Sequence, residues 1–297
     1  MLVFEGVSRN YGKLAALKNV SFSIQPGQLV FLLGANGAGK TTALRLAAGT
    51  LAPSSGRIMA AGGLNPLIPS SRAAIGYLPE NNPLRNDMEA FSCLMERAEL
   101  LSIDENRAAE VFFMCGLVSA AGKKTGELSR GYRQRLGLAM AIVGAPDLLL
   151  LDEPTSGLDP IQAAETGEML RSLSSTMSIL VSSHSIDETK RLADRILVIK
   201  NGELRSDLYR KDITASSDFK IKVIVKSGGP DLSALFSSLN AASVVKTAGN
   251  QKDSYSISFS HDARSEIFSA LRESKAEVLE IKAEEIDFEK EIRELLS

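Results

Sequence analysis

The residues with the clearest chemical potential form a glycine-rich loop of eight residues that ends in a lysine and a threonine. The loop, GANGAGKT at positions 34–41, fits the pattern G-x-x-x-x-G-K-[ST] and precedes a helical run, Thr42–Ala48. Glycines let backbone N–H groups close around phosphate oxygens, and the N-terminus of the following helix adds partial positive charge. We expect Lys40 to reach the β- and γ-phosphates of a nucleotide and Thr41 to hold Mg²⁺ through its hydroxyl group. The loop therefore predicts a nucleoside triphosphate site.

A pair of acids provides the second chemical signal. Asp152 and Glu153 follow the apolar run Leu148–Leu151. The central strand of a parallel sheet is apolar on both faces, and its carboxyl end opens onto the ligand crevice. The acids would then face the phosphates, with Asp152 orienting Mg²⁺ through water and Glu153 accepting a proton from the water that attacks the γ-phosphate. In isolation such a pair is more often a helix cap or a solvated turn, but beside a phosphate loop the catalytic interpretation is favoured.

Alternating strand and helix patterns over residues 1 to about 205 predict the sheet that must position these loops. Helical periodicity separates many of the strand-like runs, so we expect an α/β sheet. The runs are Val20–Ile24, Leu29–Leu33, Arg57–Ala60, Ile75–Leu78, Leu148–Leu151, Ile179–Ser182 and Ile196–Ile199. From Asp87 to about Leu117 the pattern is purely helical, which predicts an inserted helical subdomain over about residues 87–130.

Shorter and more polar elements follow the polar stretch Arg205–Ser217 and predict a second domain. Their order is strand, helix, strand, strand, helix, strand, which suggests a small ferredoxin-like α+β unit. The elements are Lys220–Val225, Leu232–Leu239, Ala242–Lys246, Ser254–Phe259, Ser265–Ser274 and Val278–Ile281. A terminal helix places Phe288, Ile292, Leu295 and Leu296 on one apolar stripe, which we interpret as core. The predicted domains are therefore 1–210 and 218–297.

The composition narrows the class of protein and its partners. The chain has 297 residues, with 34 Lys and Arg against 36 Asp and Glu and a formal net charge of −2. This length favours two domains, and the near-neutral charge argues against nucleic acid, whose binding needs clustered cations. Cys93 and Cys115 lack a CxxC spacing and are predicted to be core residues in a reducing compartment. Residues 1–10 lack the features of a signal peptide, and no run approaches the roughly 18 to 20 apolar residues of a membrane span, so we expect another chain to supply any spans.

Together, the motifs resemble those of ATP-binding cassette (ABC) ATPases in type and order. The matching residues are Tyr11, the loop at 34–41, Leu128-Ser129-Arg130-Gly131-Tyr132-Arg133-Gln134-Arg135, Leu151-Asp152-Glu153-Pro154, Ser156-Gly157-Leu158-Asp159 and Ser183-His184. Residues 1 to about 205 thus look like the nucleotide-binding subunit of an ABC transporter. The resemblance implies the fold of a P-loop NTPase cassette that binds ATP and Mg²⁺.

The resemblance also assigns roles to residues outside the phosphate loop. Tyr11 resembles the aromatic residue that stacks on adenine. His184 resembles the switch histidine that contacts the γ-phosphate and positions the attacking water. Ser129 and Gly131 resemble the signature motif, which faces the γ-phosphate held by the other subunit, so each ATP would be clamped between the two chains of a homodimer.

Two residues of the implied site, Asp159 and His184, stand beside predicted helix starts. Asp159 matches the aspartate that communicates between the two sites, and because Pro160 follows, it also fits a helix N-cap. Ser185 and Glu188 form an S-x-x-E capping box, which would pin His184 ahead of a helix. The nucleotide contacts implied by the resemblance are Tyr11, Gly34, Asn36, Gly37, Ala38, Gly39, Lys40, Thr41, Thr42, Ser129, Gly131 and Asp159, and the implied catalytic residues are Glu153, His184 and Lys40.

Two motifs depart from the commonest family pattern. Glu80 stands where a glutamine usually follows the strand and touches Mg²⁺. A glutamate can also ligate a hard cation, so the predicted Mg²⁺ ligands are Thr41, Asp152 and Glu80; without the metal, its charge would repel the triphosphate. In the signature, Arg130 replaces a frequent glycine and Tyr132 the usual glutamine. Arg130 fits two roles equally, binding phosphate or pairing with a nearby acid.

The function implied by the resemblance is ATP hydrolysis that powers a multi-chain membrane transporter through ATP-driven dimerisation. The permease would be encoded separately, and the ATPase would lie at the cytoplasmic face of the membrane. The Gly76–Glu80 motif and the extra C-terminal domain look more like exporters of drugs, polysaccharides or gliding-motility components than like importers. Two alternatives stay open: a soluble ABC ATPase of assembly or repair, and a regulatory module that senses ATP. The near-neutral charge argues against the first, and the presence of Glu153 and His184 against the second.

Overall fold

The protein forms two compact units in a computed structural model. The structure describes residues 1–210, 219–249, 251–259, 261, 263–274, 276–284, 292–293 and 295. One unit comprises Met1–Tyr209 with Ile292–Ser297, and the other comprises Arg210–Glu291. In the described part of the chain, no helix combines the length and the apolar character that a bilayer span requires.

The larger unit alternates strands and helices along the chain. Its strands are β1 (Leu2–Tyr11), β2 (Leu14–Ile24), β3 (Leu29–Leu33), β4 (Ser55–Ala60), β5 (Ile75–Leu78), β6 (Leu148–Asp152), β7 (Ser178–Ser183), β8 (Arg195–Lys200) and β9 (Glu203–Tyr209). Its helices are α1 (Lys40–Ala47), α2 (Ala90–Leu100), α3 (Glu105–Met114), α4 (Arg130–Ile142), α5 (Pro160–Leu173) and α6 (Ile186–Leu192), with short 3₁₀ turns at Pro69–Ala74, Val118–Ala120 and Thr125–Glu127.

A six-stranded sheet positions the chemically important loops. Its order is β5-β6-β7-β3-β8-β9, and all neighbours are parallel except β8 and β9. Strands β3, β6 and β7 are buried at every residue, as expected for central strands that are covered on both faces. Leu33 pairs with Ser183 and Asp152 with Ser182, so these three strands end at the same edge. The phosphate loop, the two acids and His184 therefore emerge side by side.

A three-stranded antiparallel sheet, in the order β2-β1-β4, packs over the same core. One hydrophobic cluster contains residues of both sheets and of helix α1, among them Phe4, Leu17, Leu32, Leu44 and Leu150. The cores of the two sheets are therefore continuous, and α1 is held with its N-terminus at the edge where β3 ends.

Strands β1 and β9 are absent from the sequence-based prediction. Strand β1 carries polar residues and three register shifts against β2. Strand β9 lies at the edge of the six-stranded sheet and contains no fully buried residue. Edge and bulged strands lack the apolar alternation of central ones, which is the signal that the prediction used. The polar stretch Arg205–Ser217 thus begins as a strand, and residues 211–218 lie outside the described part.

Helices α2, α3 and α4 follow one another between β5 and β6, where the sequence predicts a helical region. Phe91 and Phe112 join α2 to α3 by an edge-to-face contact with 5.1 Å between ring centroids. Cys93 and Cys115 are free and buried there, and burial raises the pKa of the Cys115 thiol to about 12. The prediction that both cysteines are core residues is confirmed.

The smaller unit has its own sheet and core. It contains β10 (Phe219–Lys226), α7 (Ser233–Ser238), β11 (Ser243–Thr247), β12 (Lys252–Phe259), α8 (Arg264–Glu273) and β13 (Val278–Glu284). The four-stranded sheet is antiparallel in the order β11-β12-β10-β13. Buried Phe236, Tyr255, Ile257 and Ile267 belong to its core. Of the predicted terminal stripe, Ile292 and Leu295 belong to the larger unit; Ile292 is fully buried and Leu295 is half-buried. Phe288 and Leu296 lie outside the described residues.

Candidate active site

A cleft of about 590 Å³ opens at the edge where β3, β6 and β7 end. Most of the predicted site residues line it, because the parallel register brings the three strand ends together. The predicted residues in its wall are Tyr11, Asn36, Gly37, Gly39, Lys40, Thr41, Thr42, Glu80, Glu153 and His184. Residues as far apart in the sequence as Tyr11 and His184 thus share one cavity.

The phosphate loop depends on glycine at two close approaches. Gly39 precedes α1 with φ 112°, and a Cβ there would lie 2.7 Å from the carbonyl oxygen of Ala16. A Cβ on Gly34 would lie 2.5 Å from the carbonyl oxygen of Ile199. Any side chain at these positions would push the loop off the neighbouring strands, so the loop can keep this path only with glycine.

Lys40 is enclosed by the loop that it follows. Its side chain is 6% exposed, and its Nζ donates to the carbonyl oxygens of Gly34 at 2.8 Å and Ala35 at 3.3 Å. The same Nζ lies 3.2 Å from Glu153 Oε1, which is an ion pair. The positive charge is therefore fixed on the floor of the cleft, between the loop and the end of β6.

Asp152 is a buried carboxylate with one oxygen left without a partner. The residue is 1% exposed, and its Oδ1 accepts hydrogen bonds from Ser182 Oγ at 2.7 Å and Thr41 Oγ1 at 3.2 Å. Its Oδ2 is buried and has no hydrogen-bond partner. Because a buried charge without a partner is costly, this oxygen fits a position beside a cation.

The donor set around Asp152 fits Mg²⁺. Carboxylate and hydroxyl oxygens are hard ligands, and Mg²⁺ is usually held by one or two carboxylates together with substrate phosphates and water. Among the described residues there is no cluster of three or more His, Cys, Asp or Glu that would form a complete protein cage. Thr41 Oγ1 and Asp152 Oδ2 are two oxygen donors of the kind that Mg²⁺ prefers.

Glu153 lies between a lysine and a histidine. Its side chain is 10% exposed, Oε1 faces Lys40, and Oε2 is 2.8 Å from His184 Nδ1. Its backbone has φ 52°, in the left-handed region, and its N–H donates to Ser182 Oγ at 2.9 Å. Left-handed backbone in a residue other than glycine is strained and persists where neighbours hold it, which is common at functional sites. Ser182 thus holds both acids.

His184 follows β7 and is half-exposed to the cleft, with 55% of its side chain accessible. Ser185 caps α6, since its Oγ accepts from the N–H of Glu188 at 3.2 Å. The predicted reciprocal capping box is wrong in its second half: the Glu188 carboxylate accepts from Thr155 Oγ1 and Ser183 Oγ, and the N–H of Ser185 donates to Ser183 Oγ at 3.0 Å. Each oxygen of the Glu188 carboxylate accepts from a hydroxyl group, and the N–H of Ser185 bonds to one of those hydroxyl groups instead of to the carboxylate.

Tyr11 ends β1 at the rim of the cleft and is 43% exposed. The guanidinium carbon of Arg9 lies 4.8 Å from the centre of its ring, a cation–π arrangement. Arg9 is itself fixed, because its Nη1 donates to the carbonyl oxygen of Ala52 at 2.9 Å. An oriented, exposed aromatic ring is therefore available beside the phosphate loop.

Comparison with known proteins decides the family. Residues 17–156 match the family model described as ABC transporter. The chain is 38% identical over 208 residues to the uncharacterized ABC transporter ATP-binding protein YxlF of Bacillus subtilis, covering 69% of each protein. It is 34% identical over 252 residues to the Nod factor export ATP-binding protein I of Burkholderia orbicola, covering 80% of each. The chain belongs to the ABC transporter family.

Structural comparison agrees with this assignment. The dimeric structure of MJ0796, a bacterial ABC transporter cassette, superposes with a TM-score of 0.64 at 26% identity, covering 71% of this chain and 99% of that one. The predicted P-loop NTPase cassette is thereby confirmed. The protein is an ATP-binding and ATP-hydrolysing ABC subunit of a transporter, as the resemblance implied.

Some predicted residues of this ABC ATPase do not line the cleft. Ser129 and Asp159 cap helices α4 and α5 by accepting from the N–H groups of Tyr132 and Gln162 at 3.4 and 2.9 Å. Gly131 lies where a Cβ would be 1.9 Å from Gln162 Oε1, so the two helix starts are in contact. These residues form a group of their own outside the cleft.

Ala38 and Gly34, which the sequence predicts as nucleotide contacts, bond to other parts of the protein and not to the cavity. Ala38 is buried, and its N–H donates to the carbonyl oxygen of Ala35 at 3.1 Å. Gly34 offers its carbonyl oxygen to Lys40 and its N–H to the carbonyl oxygen of Ser183 at 3.3 Å. Both residues shape the loop, and neither lines the cavity.

A second cavity of about 350 Å³ adjoins the cleft of the ABC ATPase and shares Glu80, Glu153 and Ser156 with it. Glu80 is exposed at the border between the two. The Arg130 guanidinium lies over Gly157, since a Cβ added to Gly157 would be 2.4 Å from it. Within the described part of the chain, Arg130 forms no ion pair. Pairing of Arg130 with a nearby acid, one of the two roles that the sequence left open, is thus not seen.

Sequence reasoning missed several residues of the ABC site. Ser182 holds Asp152 and Glu153, and the signal for it was a hydroxyl group at the end of an otherwise apolar strand. Ser183, which the sequence singled out only as the neighbour of His184, donates to the Glu188 carboxylate. Lys18 and Asn201 also line the cleft, but they come from strand β2 and the turn between β8 and β9. Their position depends on how the two sheets pack, and no local pattern marks it.

Proposed function

We propose that two copies of this ABC ATPase close around two ATP molecules and that their hydrolysis powers export through separately encoded permease chains. The observation that carries the catalytic part is the Lys40–Glu153–His184 contact series beside the unpartnered oxygen of Asp152. It unites a fixed cation, a carboxylate and a histidine at the end of one sheet. Such a set suits phosphoryl transfer to water, where positioning and charge do most of the work.

We infer that ATP occupies the cleft with its adenine on Tyr11 and its phosphates in the loop. The exposed ring at the rim supports the first contact, and the enclosed ammonium group of Lys40 supports the second. Backbone N–H groups at the start of α1 add favourable partial charge for an anion. The cleft volume of about 590 Å³ suits a ligand of nucleotide size.

Mg²⁺ would be held by Thr41 and Asp152, with Glu80 as a further oxygen donor at the border of the cleft. The 3.2 Å contact of the first two and the free Oδ2 support this assignment. When bound, the ion supplies charge neutralisation between phosphate oxygens. Ser182 keeps the Asp152 carboxylate oriented toward Thr41 through its hydroxyl group.

Glu153 acts as the general base in this proposal. The oxygen of a water molecule attacks the γ-phosphorus, Glu153 accepts the proton, and the bond between the β–γ bridging oxygen and the γ-phosphorus breaks to give ADP and inorganic phosphate. His184 orients the base and the water, as its 2.8 Å contact with Glu153 supports.

Ser129, Gly131 and Asp159 serve the nucleotide of a second copy. They are not among the residues that line their own cleft, and they stand at the starts of α4 and α5, where helix N-termini favour anions; both observations support this role. The related cassette MJ0796 is dimeric. ATP would then act as the contact that closes the dimer, and hydrolysis would release it.

The remaining assignments concern partners and domains. Export is favoured because the relative with 80% coverage is named for Nod factor export. The ATPase would lie at the cytoplasmic face of the membrane against permease chains. Residues 1–210 would form the cassette, with a helical subdomain at about 87–130, and residues 218–297 a ferredoxin-like accessory domain. The antiparallel order β11-β12-β10-β13 supports the last assignment.

The test replaces the proposed base. Glu153→Gln removes the proton acceptor and keeps the shape, so ATP turnover should fall by roughly 10²- to 10⁴-fold. In the presence of ATP, the Glu153→Gln variant should then accumulate as a stable dimer, which analytical ultracentrifugation can measure. Turnover at the wild-type rate would remove Glu153 from the base role. Co-purification of a permease chain from detergent-solubilised membranes tests the transport assignment separately.

A further inference from the structure

Glu188 connects two loops of the site although it lies outside the cleft wall. It stands in the first turn of α6 and is half-buried. One carboxylate oxygen, Oε1, accepts from Thr155 Oγ1 at 2.7 Å, and the other, Oε2, accepts from Ser183 Oγ at 2.9 Å. Both oxygens are therefore used, each by a different loop.

The two hydroxyl groups belong to the segments that carry the proposed catalytic residues. Thr155 follows Glu153 by two positions in the loop after β6. Ser183 directly precedes His184 at the end of β7 and also accepts from the N–H of Ser185. The carboxylate thus ties together the two chain segments whose side chains meet at 2.8 Å.

We propose that Glu188 is a positioning residue that sets the distance and orientation between Glu153 and His184. Hydrogen bonds to a carboxylate are shorter and stronger than those between neutral groups, so one side chain can hold two loops in register. Catalysis is sensitive to such placement, because a displacement of about 1 Å at the reacting groups can cost about 100-fold in rate. This inference rests on the proposed roles of Glu153 and His184.

If Glu188 stabilised only its own helix, α6, the expected effects of substitution would be different. An acidic residue in the first turn of a helix is favourable in itself, through the helix dipole. Asp187 occupies the same turn, is exposed, and makes no hydrogen bond or ion pair within the described residues. If Glu188 acted only on the helix, Asp187→Ala and Glu188→Ala would have similar effects.

The first experiment measures steady-state ATP hydrolysis by the full chain. Glu188→Ala should lower kcat by roughly 10- to 100-fold while KM for ATP changes by less than about 3-fold. Glu188→Gln should recover much of that loss, because an amide can accept from one hydroxyl and donate to the other. Asp187→Ala should keep the wild-type kcat. Equal losses in the Ala variants of both positions, with equal falls in melting temperature, would overturn the proposal.

The second experiment is a double-mutant cycle with His184. If Glu188 acts through His184, then Glu188→Ala should lower kcat far less in a His184→Ala background than in the wild type. Full additivity would mean that Glu188 acts elsewhere and would overturn the proposal. Thr155→Val combined with Ser183→Ala removes both donors and should reproduce the kcat loss of Glu188→Ala.

The outcomes separate this inference from the proposed function. If Glu153→Gln and His184→Ala strongly lower turnover while Glu188→Ala does not change it, the catalytic roles stand and the positioning role fails. If His184→Ala retains the wild-type kcat, the proposed role of His184 fails, and with it the positioning role of Glu188. Both the catalytic roles and the positioning role would be supported by three results together. Glu188→Ala lowers kcat, Glu188→Gln recovers most of that loss, and Glu188→Ala has little effect in the His184→Ala background.

Discussion

At the scale of single residues, two adjacent carboxylates have different neighbours and hence different capacities. Asp152 continues the strand and faces two hydroxyl donors, which leaves one oxygen free for a cation. Glu153 turns into left-handed backbone and comes to lie between Lys40 and His184. Ser182 contacts both acids, because its hydroxyl group accepts from the N–H of Glu153 and donates to Oδ1 of Asp152. Two consecutive carboxylates are thus placed to serve the two different roles proposed above, metal binding and proton transfer.

Removal of the Tyr11 ring should weaken ATP binding more than catalysis. Stacking between an aromatic side chain and a base is worth about 1–3 kcal/mol, so Tyr11→Ala should raise KM for ATP by roughly 5- to 100-fold with little change in saturating kcat. Steady-state kinetics measures both values. Tyr11→Phe keeps the ring and its contact with Arg9, and it should behave like the wild type. An unchanged KM in Tyr11→Ala would contradict adenine stacking.

Asp231 in the smaller unit should titrate unusually low. The N–H and hydroxyl of Ser233 and then Lys246 lower the pKa of its carboxyl group from 3.8 to about 2. A lowered carboxyl pKa contributes stability that is present above pH 3.8 and is lost as the pH falls through about 2. A carboxyl-detected NMR titration of the full chain checks this, with Asp231→Asn to assign the signal. A midpoint near the ordinary value would refute it.

At the scale of elements, the start of helix α1 shows how backbone geometry creates a binding site. Gly39 takes a left-handed conformation, so the chain turns sharply from β3 into the helix, and Lys40 becomes its first residue. The approach of Ala16 from β2 leaves no room for a side chain there. The loop is therefore shaped by its neighbours as much as by its own glycines.

Gly39→Ala should abolish ATP hydrolysis, whereas Gly62→Ala should retain it. Both glycines have positive φ, at 112° and 83°, and an alanine costs about 1–2 kcal/mol in that conformation. Only at Gly39 does the added Cβ also meet backbone, 2.7 Å from the oxygen of Ala16; around Gly62 nothing lies within 4 Å. ATPase rates and melting temperatures of both variants provide the comparison. Equal activity in the two would show that the close approach is unimportant.

At the scale of the whole molecule, the proposed site is divided between two copies. Lys40 lines the cleft of its own chain, but Ser129 stands at the start of α4 outside that cleft. A chain that binds ATP by itself would then lack part of the machinery for hydrolysis. This is a prediction about assembly, and mixing of defective chains can test it.

Lys40→Ala and Ser129→Asp chains should each be inactive alone and recover activity when mixed. Aspartate preserves the N-cap of α4, so the helix remains, but its charge repels a facing γ-phosphate. A mixed dimer contains one intact site, so an equimolar mixture should reach roughly a quarter of the wild-type rate. Without recovery in a mixture shown to contain mixed dimers, the two residues would have to act within one chain.

Much of the fold and of the site was readable from the sequence. Buried parallel strands are continuous apolar runs, so β3, β6 and β7 were found close to their observed limits. The glycine loop and the acids were found because phosphate binding restricts both residue type and spacing. Strands β1 and β9 escaped because polar and edge strands carry a weak pattern, although β1 ends at Tyr11.

The sequence alone predicted which residues would bind phosphate and act on it, since those residue types and spacings have few other uses. Only the tertiary structure decided what holds them in place. Ser182 reaches Glu153 across 29 positions, and Glu188 reaches Thr155 across 33. Serine, threonine and glutamate are common on any surface, and their partners depend on the register between β6 and β7. That register is a property of the packed sheet, because it arises from hydrogen bonds and burial between distant segments.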